Sequence, residues 1–332
     1  MFENYRIEKT VINDEWDKFV SASETGTIFS LSTYLLALKT CPVAYYCYKN
    51  ETIKAGVILI ENENKDRAIN HNHVIYSGIL FQKPQKEKNI SQINSERFRV
   101  SSFIAGELPK IYNKLSLTLH PNIVDIRPFL WVNYGENLPH YKISVRYTSH
   151  IDIENFFEHK SLNDIGLYSQ ASSSRRQEIR YGIKNNINTE EKFDSKNFME
   201  FYYKTMKRQN INITKGVLDE MDNIITILNK ANMGKMFVSS TNNGLVGSMA
   251  FFLLDDKKAY LLFSANDPGM RKTQTGTMVL WDAFRFLSKE GIKEIDLEGI
   301  NSPARGWFKL SFGGSIIPYY HLSYDGTSVE HK

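Results

Sequence analysis

The back half of the chain carries the clearest pattern. Apolar positions in strand-like runs predict strands over residues 236–238, 245–254 and 259–264. Asn242-Asn243-Gly244 and Asp255-Asp256 provide the turns between them. A polar loop over 265–276 follows, and then the period changes. Met278, Leu280, Trp281, Phe284 and Leu287 recur at helical spacing, which predicts a helix over 277–288 ended by Gly291. A further strand is expected over 294–299, followed by an amphipathic segment over 307–314.

Helices dominate the middle. Ser172, Ser173 and Ser174 offer N-cap hydroxyls for a helix over 175–184, with Gln177 three residues after Ser174 as in a capping box. Asp194 or Ser195 caps the next helix, whose apolar face is Phe198, Phe201, Tyr202, Thr205 and Met206. Val217, Leu218, Met221, Ile224, Ile225 and Leu228 predict a third. The front half alternates between the two periods. Short helices are expected over 14–21 and 32–38, a hairpin over 43–48 and 53–60, and a strand over 74–80 interrupted by Gly78. A loop over 83–92, a helix over 95–108 and a strand over 123–126 complete it. Strands therefore recur on both sides of about residue 150. This predicts an α/β (α+β) chain of two domains, 1–150 and 151–315.

Composition changes this picture little. At 332 residues, 42% hydrophobic and 13% aromatic, the chain can bury two cores, and a net charge of +4 permits an anionic ligand without announcing nucleic acid. Cys41 and Cys47, six apart in strand-like context, form neither a redox pair nor a metal framework and read as free thiols of a reducing compartment. The N-terminus lacks an apolar signal core, and the longest apolar runs, 56–60 and 249–254, are too short to span a bilayer. A cytoplasmic location is expected. His71, His73, His120, His140 and His150 show no metal spacing with Cys or acidic partners, so no metal is expected. The chain contains no G-x-S-x-G elbow, H-E-x-x-H or P-loop, which removes the usual hydrolase, metalloprotease and NTPase readings.

The meander, loop, helix and strand of 236–314 resemble the second half of a GNAT-type acyltransferase, and more particularly its FemAB-like branch of aminoacyl and acyl transferases of cell-envelope and surface-glycan synthesis. The matching pieces are Gly244–Phe251 (G-L-V-G-S-M-A-F), Asp296-Leu297-Glu298-Gly299 and Phe308-Lys309-Leu310-Ser311-Phe312-Gly313-Gly314. Residues 146–153 and 172–180 fit the same pattern, and the front half matches mainly at Asp125-Ile126-Arg127-Pro128. The resemblance implies two GNAT-like domains, with a tail of about 316–332 packed back on the first. It also implies no permanently bound cofactor, and acyl-CoA or aminoacyl-tRNA as co-substrate. The acceptor it implies is an amino group on a sugar nucleotide, glycan or peptide precursor, with tRNA as a partner only in the second case and no DNA. A protein that keeps this fold but only binds a nucleotide-sugar or RNA is the competing reading.

Acyl transfer to an amine needs a held acyl donor, a group for the developing oxyanion and a destination for the amine proton. Lys309 occupies the place where the FemAB-like pattern carries a functional lysine. Asp125 and Asp296, each at an expected strand end, are candidate proton acceptors or orienting groups. Arg175, Arg176 and Arg180 at a helix start are candidate anion binders, the last two sharing a face four residues apart. Tyr260 is a candidate for the expected donor channel, and alternation on a half-buried strand explains it equally well. The loop before the 277–288 helix, with Arg271 and Gly276, stands where GNAT proteins hold the pyrophosphate of coenzyme A. The usual pattern there is Arg or Gln, two residues, Gly, one residue, then Gly or Ala; this chain has only Gly276 before the helix, with Gln274 and Thr275 upstream, so the match is partial, a departure that points away from coenzyme A.

Overall fold

The computed structural model describes residues 2–84, 87–159 and 161–328. The chain divides into two compact units, one running to Arg146 and resuming at Pro318, the other Tyr147–Ile317. Both are mixed α/β, with mostly antiparallel pairing and helices packed on the strands.

The first unit holds β1 (Tyr5–Thr10), α1 (Asp14–Ala22), α2 (Ser32–Ala37), β2 (Cys41–Lys49), β3 (Thr52–Glu61), β4 (Arg67–Ile69), β5 (Gly78–Phe81), α3 (Ile90–Ile111), β6 (Lys114–Thr118) and α4 (Arg127–Leu130). The β2–β3 hairpin is antiparallel, β1 adds to β2, and β4 and β5 both pair with β3. Its core gathers Val43, Val57, Leu59, Phe103, Ile104, Leu108 and Leu117. Four expectations need correction here. The strand over 123–126 does not form: Ile123 N–H closes a turn onto His120 O, and Ile126 caps α4, which starts with Pro128 in its first turn. Only the end of 74–80 is a strand, because Gly78 at φ 86 begins β5 rather than interrupting a longer run. The helix at 95–108 starts earlier, at Ile90, where Asn89 and Gln92 make a reciprocal capping box. That start falls inside the expected 83–92 loop, of which residues 85 and 86 lie outside the described residues.

The second unit comprises β7 (Lys142–Asp152), α5 (Gly166–Gln170), α6 (Ser173–Lys184), β8 (Asn188–Glu191), α7 (Ser195–Arg208), α8 (Lys215–Lys230), β9 (Gly234–Ser240), β10 (Val246–Leu254), β11 (Ala259–Asn266), α9 (Thr275–Lys289), β12 (Glu294–Asp296) and α10 (Pro303–Leu310). The final strand, β13 (Ser315–Asp325), pairs antiparallel with β6 and contributes Leu322 to the first core. In the second unit the order is β7-β12-β11-β10-β9-β8, antiparallel except for β11 beside β12. α9 is buried on nearly every side, with Met278, Leu280, Trp281, Phe284 and Leu287 in the core. The cap of α6 is Ser172, whose Oγ accepts from Arg175 N–H at 3.2 Å, so the Ser174–Gln177 box is not made. Among the described residues no helix is long and apolar enough to cross a membrane.

Candidate active site

β11 and β12 are the parallel pair of this unit, and they stay together for only two residue pairs, Ala259 with Ile295 and Tyr260 with Asp296. Beyond them β11 continues to Asn266 while β12 stops, because Asp296 Oδ1 takes the backbone N–H of Glu298 at 2.8 Å and pulls the chain out of the strand. Glu298 then sits in the left-handed region at φ 53. The strand expected over 294–299 therefore ends three residues early. Into the gap opens a cavity of about 630 Å³, floored by Leu261–Ser264 of β11 and walled by α6, α7, the start of α9 and α10.

Lys309 comes to this cavity from α10 and is half-buried. Its Nζ donates to Leu297 O at 2.5 Å and Glu298 O at 3.2 Å, the two carbonyls that the left-handed turn exposes. Burial pushes its pKa down to about 8 against the pull of Glu298 and Asp296. Two of three ammonium donors are thus spent on holding the group, leaving one for a ligand.

Arg175 also lines the cavity, but as a buried cation. Its guanidinium lies between the Phe308 and Phe312 rings, at 4.5 and 4.6 Å from their centroids. It donates to Ser311 Oγ at 2.9 Å and to Thr277 Oγ1. Burial lowers its pKa to about 10. One side chain thereby ties α6, α9 and α10 together.

The cavity carries five cations (Arg175, Arg208, Arg271, Arg305 and Lys309) against two carboxylates, Glu178 and Asp267. At its other end lies the first turn of α9. Gln274 caps that helix at φ 64, and Gly276 follows, where an added Cβ would come within 2.9 Å of Asn266 Oδ1. The segment Arg271-Lys272-Thr273-Gln274-Thr275-Gly276 thus reads Arg, two residues, a left-handed residue, one residue, Gly. Gln274 adopts the backbone conformation that a glycine supplies in the GNAT pattern. Arg271 lines the same cavity as the start of α9, where the helix dipole is positive.

Five expected site residues lie elsewhere. Arg176 and Arg180 donate to Ser169 O at 3.1 Å and Tyr168 OH at 2.8 Å, so they tie α6 to α5 and do not line the cavity. Tyr260 is buried, its hydroxyl bonded to Asp255 Oδ2 at 2.8 Å. Asp125 belongs to the first unit, where Arg127 takes its carboxylate with two guanidinium contacts at 2.8 and 2.7 Å and holds it below the usual carboxylate range. Such a carboxylate is a poor proton acceptor. Asp296 is fully buried and positions others: besides Glu298 N–H it accepts from Thr148 Oγ1, and its Oδ2 lies 3.3 Å from His150 Nε2. Tyr202, Arg208, Ser248, Asn266 and Arg305 are cavity residues that sequence reasoning passed over. Tyr202 lay on an apolar helical face and was read with it as core. Ser248 lay within the motif strand, where its hydroxyl reaches Asn266 Oδ1 at 2.6 Å and Thr275 Oγ1 at 3.0 Å.

A strand parting from its parallel neighbour, a helix start and a half-buried lysine thus meet at one cavity. Residues 173–306, two-fifths of the chain, match the family model of the acetyltransferase (GNAT) domain. A search of curated proteins found no match. Among solved structures, the crystal structure of FemX is similar over 94% of this chain and 96% of its own, with TM-score 0.63 at 12% identity. The tandem GNAT protein from the clavulanic acid biosynthesis pathway is similar over 98% and 100%, with TM-score 0.53 at 8% identity. L-PGS from Bacillus licheniformis is similar over 96% and 93%, with TM-score 0.53 at 10% identity. At these identities the likeness is one of fold. The family model marks a GNAT-type acetyltransferase domain over residues 173–306, and the solved structures share the fold of the chain.

Proposed function

We propose that the protein is an N-acyltransferase moving an acyl or aminoacyl group from acyl-CoA or aminoacyl-tRNA to an amino group of a sugar-nucleotide, glycan or peptide precursor. The observation that carries this reading is the opening between β11 and β12, with Lys309 at one side and the start of α9 at the other. Donor phosphate binds Arg271 and the first-turn amides of α9. The acyl arm extends along the unpaired edge of β11, as an added strand would. The amine attacks the acyl carbon, and the carbonyl oxygen takes up negative charge that the third N–H of Lys309 stabilises. Collapse expels the thiolate of coenzyme A or the ribose oxygen of tRNA. The proton lost by the amine neutralises that leaving group.

Of the two donors, the left-handed Gln274 favours a CoA thioester, because it lets the loop make the turn that wraps a pyrophosphate. The overall likeness to FemX and L-PGS keeps aminoacyl-tRNA as the second donor to test. The free thiols Cys41 and Cys47, the latter pushed up to about 12 by burial, support a reducing, cytoplasmic setting, and the FemAB-like fold supports a place in cell-envelope or polysaccharide synthesis. The test assays acetyl-CoA and alanyl-tRNA separately against amino sugars, amino-sugar nucleotides and peptides. Acylated acceptor with matching release of thiol or of deacylated tRNA is the expected result. Absence of transfer together with absence of calorimetric binding of both donors overturns the reading.

A further inference from the structure

The cavity beside Lys309 holds more positive charge than its own carboxylates neutralise. Glu178 accepts from Thr277 Oγ1 at 3.5 Å and acts on Arg175, while Asp267 takes the Gly269 N–H at 2.7 Å and has Lys204 at 3.9 Å. Arg175 is committed to Ser311, Thr277 and two rings, and Lys309 to two carbonyls. Arg208, Arg271 and Arg305 line the same cavity, and among the described residues none of the three makes a hydrogen bond or an ion pair. Outside the cavity, Arg6, Arg97 and Arg127 each meet a carboxylate. Guanidinium groups without counter-ions in a concave site repel one another, and a ligand that brings negative charge relieves the repulsion.

The three do not stand together. Arg208 follows one turn after Thr205, whose Oγ1 donates to Asn266 O at 2.9 Å, so it belongs with Arg271 to the α9 end of the cavity. Arg305 is on α10, four residues before Lys309, so the two side chains start roughly 5–6 Å apart on one helical face. Its charge acts on the Lys309 ammonium and the Tyr202 hydroxyl. Like charges one turn apart weaken a helix, and α10, Pro303-Ala304-Arg305-Gly306-Trp307-Phe308-Lys309-Leu310, has no acidic residue to offset them. The helix is held in place by Gly306, where an added Cβ would come within 2.6 Å of Ile300 O. Arg305 and Lys309 are thus fixed side by side against the chain that leaves β12.

We propose that Arg305 selects the acceptor, by binding a phosphate or carboxylate that the acceptor carries close to its reacting amine. The proposal rests on the acyl-transfer reading of this site and narrows it: an amine with an anionic group is the good substrate, and a neutral amino sugar or uncharged peptide amine a poor one. A planar guanidinium takes either oxyanion with two parallel N–H donors. With that anion on Arg305, the amine lies about one helical turn away, beside the Lys309 ammonium and the carbonyl to be transferred. Donor phosphate on Arg271 keeps to the other end.

The test uses acceptors that differ only in the charged group: glucosamine 6-phosphate against glucosamine, and glycylglycine against glycylglycinamide. Calorimetry without donor reads binding, and kcat/KM with a working donor reads selection. Wild type is expected to prefer the charged member of at least one pair by roughly tenfold or more, and the pair that shows it distinguishes phosphate from carboxylate. Arg305→Ala is expected to bring that ratio near one, chiefly through acceptor KM, and Arg305→Glu to turn it toward the neutral amine. Arg305 is exposed and bonds nothing in the fold, so both variants are expected to keep the wild-type thermal midpoint. No preference in either pair for the wild type, or a preference retained in Arg305→Ala, overturns the proposal. A charge preference in calorimetry that depends on Arg305, with neither donor binding nor transfer, overturns only the acyl-transfer reading.

Discussion

At the scale of single residues the proposed transfer chemistry falls on Lys309 and on what holds it. An oxyanion donor acting mainly in the transition state appears in kcat more than in KM. Lys309→Ala is expected to lower kcat by on the order of 100-fold or more, with a thermal midpoint close to wild type. Wild-type turnover in that variant removes the role. Lys309→Arg keeps the charge but not the compact ammonium that fits two carbonyls, and substantial rescue assigns the effect to charge alone. Below Lys309 lies a second titration. Burial works against charge on His150, but its contacts with Asp296 and Glu294 prevail and raise its pKa to about 9. A histidine raised in the fold stabilises fully below its unfolded value near 6.5, and that contribution disappears as pH climbs through 9. The thermal midpoint is therefore expected to fall by a few degrees between about pH 6.5 and 9, and His150→Gln to flatten that slope. An equal slope in the variant excludes His150 as its source.

At the scale of elements, the proposed donor contact falls on the loop into α9. Arg271→Ala is expected to weaken acetyl-CoA binding roughly tenfold, the worth of one charge-assisted contact. Arg176→Ala with Arg180→Ala leaves it within about threefold, since both arginines are tied to α5. Gln274→Gly keeps affinity because glycine reaches the left-handed region freely. Gln274→Val loses it, because a β-branched residue does not. Calorimetry on the four proteins separates these outcomes, and equal losses in the Arg271 variant and the Arg176/Arg180 pair contradict the assignment. Much of this arrangement was legible beforehand. The periods of β9, β10, β11 and α9 stand plainly in the apolar positions, and the order of motifs brought Lys309, Arg271, Gly276 and Arg175 to attention. What escaped depends on backbone turns or on charge partners distant in sequence. Nothing local says that Asp296 captures the Glu298 amide and ends β12, so Glu298 read as strand. Arg176 and Arg180 share a helical face, yet which face meets the cavity is decided by α5 packing against it. Tyr260 alternates correctly on its strand but points to Asp255. β1 and β6 escaped because β1 is largely polar and β6 is only five residues long.

At the scale of the whole molecule, one strand crosses the division of the sequence. β13 pairs with β6 through residues such as Leu322 with Leu117 and Ser323 with Ser116, and Leu322 is completely buried. Leu322→Ala is expected to cost roughly 2–5 kcal/mol, read as an earlier denaturation midpoint. Truncation before Pro318 bares the edge of β6 and is expected to give an aggregating or protease-sensitive first unit. A truncated protein with wild-type resistance to proteolysis removes β13 from that account. The same strand fixes an order of events during synthesis. The first unit's chain to Arg146 leaves the ribosome early, but its last strand waits for the 171 residues 147–317 to be made. At bacterial and eukaryotic elongation rates that is roughly ten to thirty seconds. For that interval the nascent first unit carries an open β6 edge, which makes it a natural client for a ribosome-bound chaperone, and the second unit has its whole chain before the first is closed.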